Sequence, residues 1–414
     1  MSNSYTVHLG FLSRQFVIGR LFFHSRGSKE SASFYYENDW LLNPIGFALQ
    51  PSLPFMAGQY GTEPGEKLFG CFSDCSPDRW GRALMQRRET RRAREEKRQA
   101  RTLLERDCLL QVNDGIRQGA LRFTSANSDV FLAPPESGVP TLHNLRELMA
   151  AAKNVAQKTE SVDDLLLLFQ PGGSLGGARP KAAVQGLNGE LLIAKFPKPD
   201  DDWDIPLWEF VSFELAKRAG IRTPVVELHK VDEINILLIS RFDRIPGGGR
   251  IPFASAMTLL SAHDGDRRSY LEIGEILSME GAHPKEDWRE LYRRMVFNIL
   301  TSNFDDHLRN HAFLREERGW RLSPVYDLES TPNKIPEHQT YITLMDGQSS
   351  LDLALEHVED FSLTLAEAKG IIKSVAESVR HWDSVARRAG ASKHDMELME
   401  VAYRRRDLAK ALQV

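Results

Sequence analysis

Residues 303–310, which read NFDDHLRN, are the stretch around which the rest of the chain is organised. Before it, apolar residues recur at spacings of three and four over residues 288–300, which predicts the buried face of an amphipathic helix. After it, the apolar segments 312–314 and 320–322 flank a charged turn containing Gly319 and predict a β-hairpin. A polar loop therefore lies between a buried helix and a hairpin.

Three polar side chains of this region match what phosphoryl transfer to a hydroxyl requires. One Asp accepts the proton, an Asn a few residues later binds a divalent metal, and a second Asp after a hairpin completes the metal site. Asp305, Asn310 and Asp327 have this order. The pattern resembles the Asp-x-x-x-x-Asn loop of protein kinases, without the His-Arg before the first Asp or the Phe-Gly after the second. Alternatively, these are loop carboxylates that cap a helix and face water.

The composition is that of an ordinary soluble protein with two or three domains. The chain has 414 residues, of which 42% are hydrophobic and 27% are charged. Its net charge of −4 gives no global reason to expect nucleic acid or an anionic membrane as a partner. Neither an apolar run of about 18 residues nor an uninterrupted signal-peptide core is present, so we expect no membrane span.

The cysteines indicate a reducing compartment. Cys71, Cys75 and Cys108 cannot all pair with one another, and no second half of a zinc site accompanies them. We therefore expect reduced cysteines and a cytoplasmic protein.

Residues 1 to about 130 predict a separate module with a small β-sheet, because short alternating apolar segments are separated by turns. Within it, residues 74–81 (DCSPDRWG) predict a helix start, with Ser76 or Asp74 before Pro77. The Arg-rich segment 87–101 is either a phosphate-binding patch or a solvated helix laced with opposite charges, and we favour the helix.

A second informative stretch is residues 171–181 (PGGSLGGARPK). Its glycines let the backbone approach phosphate oxygens, although it is not the Walker pattern and a flexible surface loop is the alternative. The strands predicted at 182–185 and 191–196 flank the turn Asn188-Gly189. A Gly-rich loop beside a hairpin that carries Lys195 is the layout of a kinase small lobe, where this lysine holds nucleotide phosphates. By itself, a strand lysine usually faces solvent.

The next segments continue the kinase-like order. A helix is predicted over residues 208–219, with Gly220 as its stop, and Glu209 in its first turns either pairs with Lys195 or is exposed. Two apolar strands at 225–231 and 234–240 follow, and residues 241–244 (RFDR) are the predicted hinge to a second lobe.

Taken together, these motifs resemble HipA-like serine/threonine kinases, the toxin kinases of bacterial toxin–antitoxin systems. The resemblance covers about residues 140–414 and is looser before them. It implies an α+β, two-lobed protein-kinase-like fold, with a small β-rich lobe, a helical large lobe and an N-terminal accessory α/β subdomain. The corresponding boundaries are 1–135, 136–245 and 246–414. The motifs are residues 174–181, Lys195, and residues 241–244, 305–310 and 323–327.

The resemblance also implies roles for individual residues. Asp305 would be the catalytic base, and Asn310 and Asp327 would hold Mg²⁺. Ser174 matches the serine that such kinases autophosphorylate, and a phosphate there would repel the phosphates of ATP. The residues implied at ATP are Ser174, Gly176, Gly177, Ala178, Arg179, Pro180, Lys181, Lys195, Ser240, Arg241, Phe242, His307, Asn310 and Tyr326.

The implied partners follow from the same family. They are ATP, Mg²⁺ and a protein acceptor such as an aminoacyl-tRNA synthetase or another translation component. A helix-turn-helix antitoxin is also implied, and DNA would be contacted only through that antitoxin. No membrane partner is implied. Residues 74–81 differ from the shorter Leu-Pro-(Asp/Glu)-Gly turn expected in the family, which indicates a divergent branch.

Three other functions remain open. One is a catalytically inactive ATP-binding or partner-binding module, although such a module has no need for Lys195, Asp305, Asn310 and Asp327 together. Another is a small-molecule kinase of the same fold, because phosphoryl transfer to either acceptor needs similar positioning. The last is a metallohydrolase built on Asp305, Asp306, His307 and His311. The lack of an H-E-x-x-H arrangement in the sequence argues against it.

Overall fold

The computed structural model describes residues 4–26, 29–132, 138–169, 177, 179–333, 337–403 and 406–414. This part of the chain forms two compact units, Met1–Pro199 with Ser240–Ala254, and Asp200–Ile239 with Ser255–Val414. The first contains strands β1 (Ser4–Phe11), β2 (Arg14–Arg26), β3 (Lys29–Tyr36), β4 (Tyr60–Gly61), β5 (Leu121–Ser125), β6 (Lys181–Gln185) and β7 (Leu191–Lys195), and helices α1 (Asn38–Leu41), α2 (Gly70–Ser73), α3 (Arg79–Glu95), α4 (Glu105–Leu110), α5 (Leu145–Gln157) and α6 (Val162–Phe169).

The second unit is mainly helical. Its helices are α7 (Ile205–Arg218), α8 (Ala256–Leu259), α9 (Tyr270–Glu280), α10 (Pro284–Thr301), α11 (Leu351–Glu356), α12 (Leu365–Val379), α13 (Trp382–Ala389), α14 (Lys393–Tyr403) and α15 (Arg406–Ala411). Its strands are β8 (Val226–Val231), β9 (Ile234–Ser240), β11 (Arg268–Ser269), β12 (Ala312–Arg315), β13 (Trp320–Leu322) and β14 (Thr340–Tyr341). Strands β9 and β10 (Phe253–Ser255) each extend across a boundary between the units in sequence.

The N-terminal module is built on an antiparallel sheet, as its alternating pattern predicts. Among the described residues, its strands follow the order β4-β3-β2-β1-β5. Val7 lies opposite Phe123 and Leu21 lies opposite Phe34, and all four side chains are buried. Facing apolar pairs of this kind fix the register, because a slip by one residue would turn them all outward.

The helix that was predicted to start within residues 74–81 begins later in that segment than predicted. Neither Ser76 nor Asp74 caps it: the carboxylate of Asp78 accepts a hydrogen bond from the amide of Gly81 at 2.8 Å, and α3 starts at Arg79. The prediction of Ser76 or Asp74 was therefore wrong by two to four residues. An Asp three residues before the amide that it caps is a strong N-terminal signal, and Pro77 precedes the cap rather than following it.

The Arg-rich segment is a helix laced with opposite charges, as favoured. Arg98 contacts the carboxylates of Glu89 and Glu96, each at 2.6 Å, and Arg87 pairs with Glu160 at 3.1 Å. Helix α3 ends at Glu95, because the chain turns at Lys97, whose φ is +52°. These carboxylates neutralise much of the charge that a phosphate-binding patch would need.

Both predicted hairpins are present. Strands β6 and β7 pair antiparallel, and the turn between them contains Gly189 at φ +81°, a conformation that favours glycine. In the second unit, β12 pairs antiparallel with β13. The helix predicted before Gly220 is also confirmed as α7, and Glu209 in it is buried rather than exposed.

The core of the second unit gathers aromatic side chains from three helices. Trp208 of α7, Trp382 of α13 and Tyr403 of α14 lie with ring centroids 5.2–6.2 Å apart. All three are buried, and stacked rings at such distances add to the stabilisation from burial. Ser302, which directly precedes the polar loop 303–310, donates its hydroxyl to the carbonyl of Ala402, the neighbour of Tyr403 in α14.

Two further predictions can be compared with the structure. Cys71, Cys75 and Cys108 are buried and unpaired with one another, as predicted. Within the described ranges, no helix combines the length and apolar character needed to cross a membrane.

Candidate active site

The loop 303–310 starts from a sharp reversal at the end of α10. Ser302 has φ +55°, and its hydroxyl donates to the carbonyl of Ala402 at 2.8 Å. The amide of Asn303 returns to the carbonyl of Asn298, and the Asn303 side chain donates to the Asn298 side-chain oxygen, both at 3.0 Å. Closing the helix end in this way points the following residues away from the helix axis.

Asp306 anchors the loop from inside the second unit. It is buried, its carboxylate accepts a hydrogen bond from the hydroxyl of Tyr270, and Nε2 of His311 lies 2.9 Å from Oδ1. Asn298 in turn donates to the Tyr270 hydroxyl at 3.0 Å. Burial by itself would raise the pKa of Asp306, but His311 and Tyr270 outweigh it and hold the pKa below its usual value.

Asp305 points the other way and is exposed. One of its carboxylate oxygens accepts a hydrogen bond from the side-chain amide of Gln339. The backbone of the same segment is also bonded to the loop. The amide of Gln339 donates to the carbonyl of Phe304 at 3.3 Å, and the amide of Thr340 donates to the carbonyl of Asp306 at 3.1 Å. Gln339 is 34 residues from Asp305 and belongs to none of the motifs, so no spacing in the sequence indicated its role.

The electrostatic surroundings of Asp305 differ from those of its neighbour. Partial burial raises the pKa of Asp305, His307 acts against the rise, and the carboxylates of Asp327 and Asp306 add to it. Asp327 has φ +54°, the left-handed conformation that is unusual for a residue other than glycine. Two carboxylates that disfavour each other's ionisation form a place for a cation or a proton.

The remaining predicted residues of this unit lie around Asp305. The side-chain amide of Asn310 donates to the carbonyl of Asp305 at 2.9 Å, which leaves its oxygen available as a ligand. The hydroxyl of Tyr326 donates to the carbonyl of Arg309 at 2.6 Å. Within the described residues, the buried Nδ1 of His307 has no hydrogen-bond partner. The structure thus brings Asp305, His307, Asn310, Tyr326 and Asp327 together.

A small cavity opens beside this loop. Its volume of about 10 Å³ is close to what one water molecule needs. Polar side chains supply much of its lining, including those of Asn298, Asp306, Asn310, His311 and Tyr326. Its lining thus includes both Asp306, which anchors the loop, and Asn310, a predicted metal ligand.

Buried charges hold the segment that leads to Asp327. Arg294 of α10 donates to Glu290 at 2.8 Å and to the carbonyl of Ser323 at 2.6 Å. Asp287, which is fully buried, accepts from the amide of Leu322 at 3.1 Å. The end of β13 is therefore fixed against the same helix that ends at the loop 303–310.

The other predicted ATP-binding residues lie in the first unit, and part of them can be described. Ser174, Gly176 and Ala178 lie outside the described residues. Lys181 is buried, and its ammonium group lies 2.9 Å from Asp78. Lys195 is buried as well and stands opposite Lys181 in the β6–β7 hairpin. Gly177 is exposed and has φ +87°, Arg179 is half-buried, and Pro180 is buried.

The predicted hinge, residues 241–244, is tied to the N-terminal module by its charged side chains. Arg241 donates to Asp243 and to the carbonyl of Ile116, and Asp243 also accepts from the amide of Gly119 at 2.7 Å. Burial would raise the pKa of Asp243, but Arg241 and Arg244 outweigh it and lower the pKa well below its usual range. The Arg241 side chain is thus bonded within the first unit, and its contact with ATP stays a prediction.

The oxygen donors of the loop fit Mg²⁺. Among the described residues, no group of three or more His, Cys, Asp or Glu side chains is placed to hold a metal ion. Mg²⁺ is commonly bound by one or two carboxylates together with substrate phosphates and water. Asp327 and the oxygen of Asn310 supply donors of this hard type.

Comparison with known proteins identifies the family. A family model described as the HipA-like C-terminal domain matches residues 173–383, and one described as the HipA N-terminal domain matches residues 12–106. The protein Y4dM of Sinorhizobium fredii, a kinase by name, is 32% identical over 163 residues, 36% of this chain and 39% of its own length. The serine/threonine-protein kinase toxin HipA of Shewanella oneidensis is 26% identical over 192 residues, 39% of this chain and 44% of its own.

The matched segments therefore span less than half of these two relatives. Among solved structures, the complex of HipA with HipB and operator DNA from Shewanella oneidensis contains a chain with a TM-score of 0.65 and 17% identity. The likeness covers 99% of this chain and 96% of that one, and it confirms the predicted α+β fold with its kinase-like architecture and N-terminal subdomain. Since the C-terminal model alone matches half of the sequence and the N-terminal model matches a separate part of it, the chain belongs to the HipA-like family.

Proposed function

We propose that this protein is an ATP- and Mg²⁺-dependent serine/threonine protein kinase. The observation that carries the proposal is the cluster around Asp305, where a second carboxylate, Asp327, lies close enough to raise its pKa and Asn310 bonds to its carbonyl. A base, a metal-binding Asp and a metal-binding Asn in one cluster are the parts that phosphoryl transfer requires. The kinase names of the two relatives support the same activity.

In this proposal, the carboxylate of Asp305 accepts the proton of the acceptor hydroxyl. The hydroxyl oxygen forms a bond to the γ-phosphorus of ATP, and the bond between that phosphorus and the β–γ bridging oxygen breaks to release ADP. The bound Mg²⁺ would neutralise charge on the phosphates. Gln339, which bonds to Asp305, would keep the carboxylate oriented before the hydroxyl arrives.

For nucleotide binding, we propose that residues 136–245 form the small lobe of the kinase and residues 246–414 form the large lobe. Residues 174–181 and Lys195 would bind the phosphates, Ser240 to Phe242 would border the adenine, and His307, Asn310 and Tyr326 would approach ATP from the large lobe. Glu209 of α7, which is buried, would take the role of the helix glutamate of kinases.

The proposed biological setting is a toxin–antitoxin pair. The HipA chain of Shewanella oneidensis was solved with HipB and operator DNA, and that relative is named as a toxin. By analogy, we propose a helix-turn-helix antitoxin as the partner of this chain, DNA contact through that partner, and a translation component such as an aminoacyl-tRNA synthetase as the acceptor.

Autophosphorylation is the first test of this function. After incubation with ATP and Mg²⁺, we expect one added phosphate on the peptide that contains Ser174, because the Gly-rich loop of such a kinase reaches its own active site. Intact and peptide mass spectrometry measures it, with Asp305→Ala as the inactive control. Phosphate on this peptide in both proteins would show contamination by another kinase. No phosphate and no ATP binding by calorimetry would overturn the proposed function.

ATP binding without any phosphate on Ser174 would lead to a second arm with external acceptors. Serine-containing protein acceptors and small hydroxyl compounds should be offered side by side, and transfer to protein alone is expected. Transfer to the small compounds alone would assign the chain to the small-molecule kinases. Binding without transfer to either would identify an inactive ATP-binding module.

The metal ligands make a separate prediction. Asp327→Asn and Asn310→Ala should each raise the Mg²⁺ concentration needed for half-maximal activity by about tenfold or more, because each removes or weakens an oxygen ligand. Saturating Mg²⁺ should restore part of kcat in Asn310→Ala, which keeps both carboxylates. The measurement is a Mg²⁺ titration at saturating ATP. Unchanged half-maximal concentrations in both variants would contradict these ligand assignments.

A further inference from the structure

Residues 74–81 are the motif that the proposed function leaves unexplained, and they contact strand β6. The carboxylate of Asp78 has two roles: one oxygen caps α3 through the amide of Gly81 at 2.8 Å, and the other lies 2.9 Å from the ammonium group of Lys181. The indole N–H of Trp80 donates to the carbonyl of Lys181 at 3.1 Å. Both the side chain and the backbone of Lys181 are thus held by one short segment.

This ion pair is buried. The side chain of Lys181 is 2% exposed and that of Asp78 is 8% exposed. Taking two charges out of water is costly unless each is matched in good geometry, and losing one partner leaves the other as an uncompensated buried charge. Exposed ion pairs carry no such penalty, so Asp78 and Lys181 depend on each other far more than the exposed pair Arg92–Glu96 of α3 does.

The position of Lys181 explains why a counter-charge matters there. Lys181 stands directly opposite Lys195 in the antiparallel hairpin. Side chains opposite each other in an antiparallel pair lie on the same face, and like charges in this arrangement destabilise the pairing. Asp78 neutralises Lys181, so the positive charge that stands opposite Lys195 in the hairpin is compensated.

The same contact joins parts of the chain that lie far apart in sequence. Asp78 falls in the segment matched by the HipA N-terminal domain model, and Lys181 falls in the segment matched by the C-terminal model. Their separation is 103 residues. The cap of α3 and the first residue of the hairpin that carries Lys195 therefore share one carboxylate, that of Asp78.

We infer that Asp78 is a positioning residue for nucleotide binding: with Trp80 it fixes Lys181 as a buried structural cation, and through the hairpin it sets the place of Lys195. The inference rests on the proposed function, because it concerns the phosphate-binding lysine of that site. At this one residue the inference departs from the proposed function: the Lys181 ammonium group, paired with Asp78, would hold the strand instead of binding phosphate.

A double-mutant cycle on the full-length protein tests this role. ATP affinity is measured by calorimetry in the presence of Mg²⁺ for wild type, Asp78→Asn, Lys181→Met and the double variant. Each single variant should bind ATP about tenfold more weakly, because it leaves one buried charge unpaired beside the hairpin. The double variant should return to within about threefold of wild type, since a neutral pair of similar volume replaces the ionic one and Asn still caps α3.

The opposing outcomes are distinct. If the Lys181 ammonium group binds phosphate itself, Asp78→Asn will bind ATP as well as or better than wild type, and the double variant will be as weak as Lys181→Met. If the pair only stabilises the fold, the melting temperature will fall in both single variants while ATP affinity stays unchanged. Either result overturns the inference. Wild type that binds no ATP at all overturns the proposed function and the inference with it.

A milder variant covers the case in which Asp78→Asn does not fold. Trp80→Phe removes only the N–H that holds the Lys181 carbonyl and should weaken ATP binding by about threefold. Arg79→Gln is the matched control, because Arg79 is exposed and lies between the two anchoring residues. Its ATP affinity should equal that of wild type. Equal affinity in Trp80→Phe as well would overturn the inference.

Discussion

Replacing Asp305 by Asn should reduce kcat for phosphoryl transfer by about 10³-fold, the scale expected when a general base is removed. The substitution is nearly isosteric, and Asn can still accept the hydrogen bond from Gln339. What it cannot do is take the proton of the acceptor hydroxyl. The measurement is the rate of phosphate incorporation at saturating ATP and Mg²⁺, and KM for ATP should change little.

The same variant should be at least as stable as wild type. The pKa of Asp305 is raised above its usual value of about 3.9, so ionising this carboxylate costs more in the folded than in the unfolded chain. That cost is absent below the unfolded pKa, develops as the pH rises from the unfolded towards the folded pKa, and is complete above the folded pKa. Asn removes it. The melting temperature of Asp305→Asn should thus equal or exceed that of wild type at pH 7.

Asp360→Asn is a suitable control. Asp360 is an exposed carboxylate of the second unit that contacts His357 and lies outside the loop. Its substitution should leave kcat within about twofold of wild type, because exposed pairs contribute little. A value of kcat in Asp305→Asn above a tenth of wild type would show that Asp305 is not the base. A clear loss of stability would show that it is an anchor instead.

The elements around Asp305 could be predicted because their signals are local. The apolar positions of α10 repeat within one helix, and Asn188-Gly189 marks the β6–β7 turn without reference to any other part of the chain. The order of Asp305, Asn310 and Asp327 is local in the same sense. The sequence therefore contained enough to place a polar loop between a helix and a hairpin and to connect it with phosphoryl transfer.

Other features depend on contacts that no spacing reveals. The hydrogen bond from Gln339 to Asp305 joins residues 34 positions apart, and the ion pair of Asp78 with Lys181 joins residues 103 positions apart. The sequence does not distinguish the roles of the adjacent carboxylates Asp305 and Asp306. Asp306 faces inward because it packs against Tyr270 and His311. Such contacts follow from tertiary packing, which one sequence does not display.

Asp306→Asn should have the opposite effect to Asp305→Asn, although the two residues are adjacent. Its carboxylate receives the Tyr270 hydroxyl on one side and Nε2 of His311 on the other. An amide has only one oxygen, so at least one of these buried groups loses its acceptor. We expect a local loss of about 3 kcal/mol, because an unsatisfied buried donor and a lost charge both contribute.

Amide hydrogen exchange followed by mass spectrometry measures this loss where it arises. Peptides covering residues 303–311 should exchange about 100-fold faster in Asp306→Asn, since each 1.4 kcal/mol corresponds to about tenfold in the opening equilibrium. Tyr270→Phe removes the same hydrogen bond from the other side and should accelerate the same peptides. Unchanged exchange in both variants would show that Asp306 does not anchor the loop.

The pH dependence of stability independently checks whether the Asp306 carboxylate stabilises the folded protein. The pKa of Asp306 is lowered, so its stabilising contribution is fully present above the unfolded value of about 3.9 and is lost as the pH falls through the folded pKa. The difference in melting temperature between wild type and Asp306→Asn should therefore be the same at pH 7 and pH 5 and shrink below about pH 4. Asp305→Asn should show the reverse order of stability at neutral pH. Opposite signs at two adjacent carboxylates would separate the residue that holds the loop from the residue that the loop presents for catalysis.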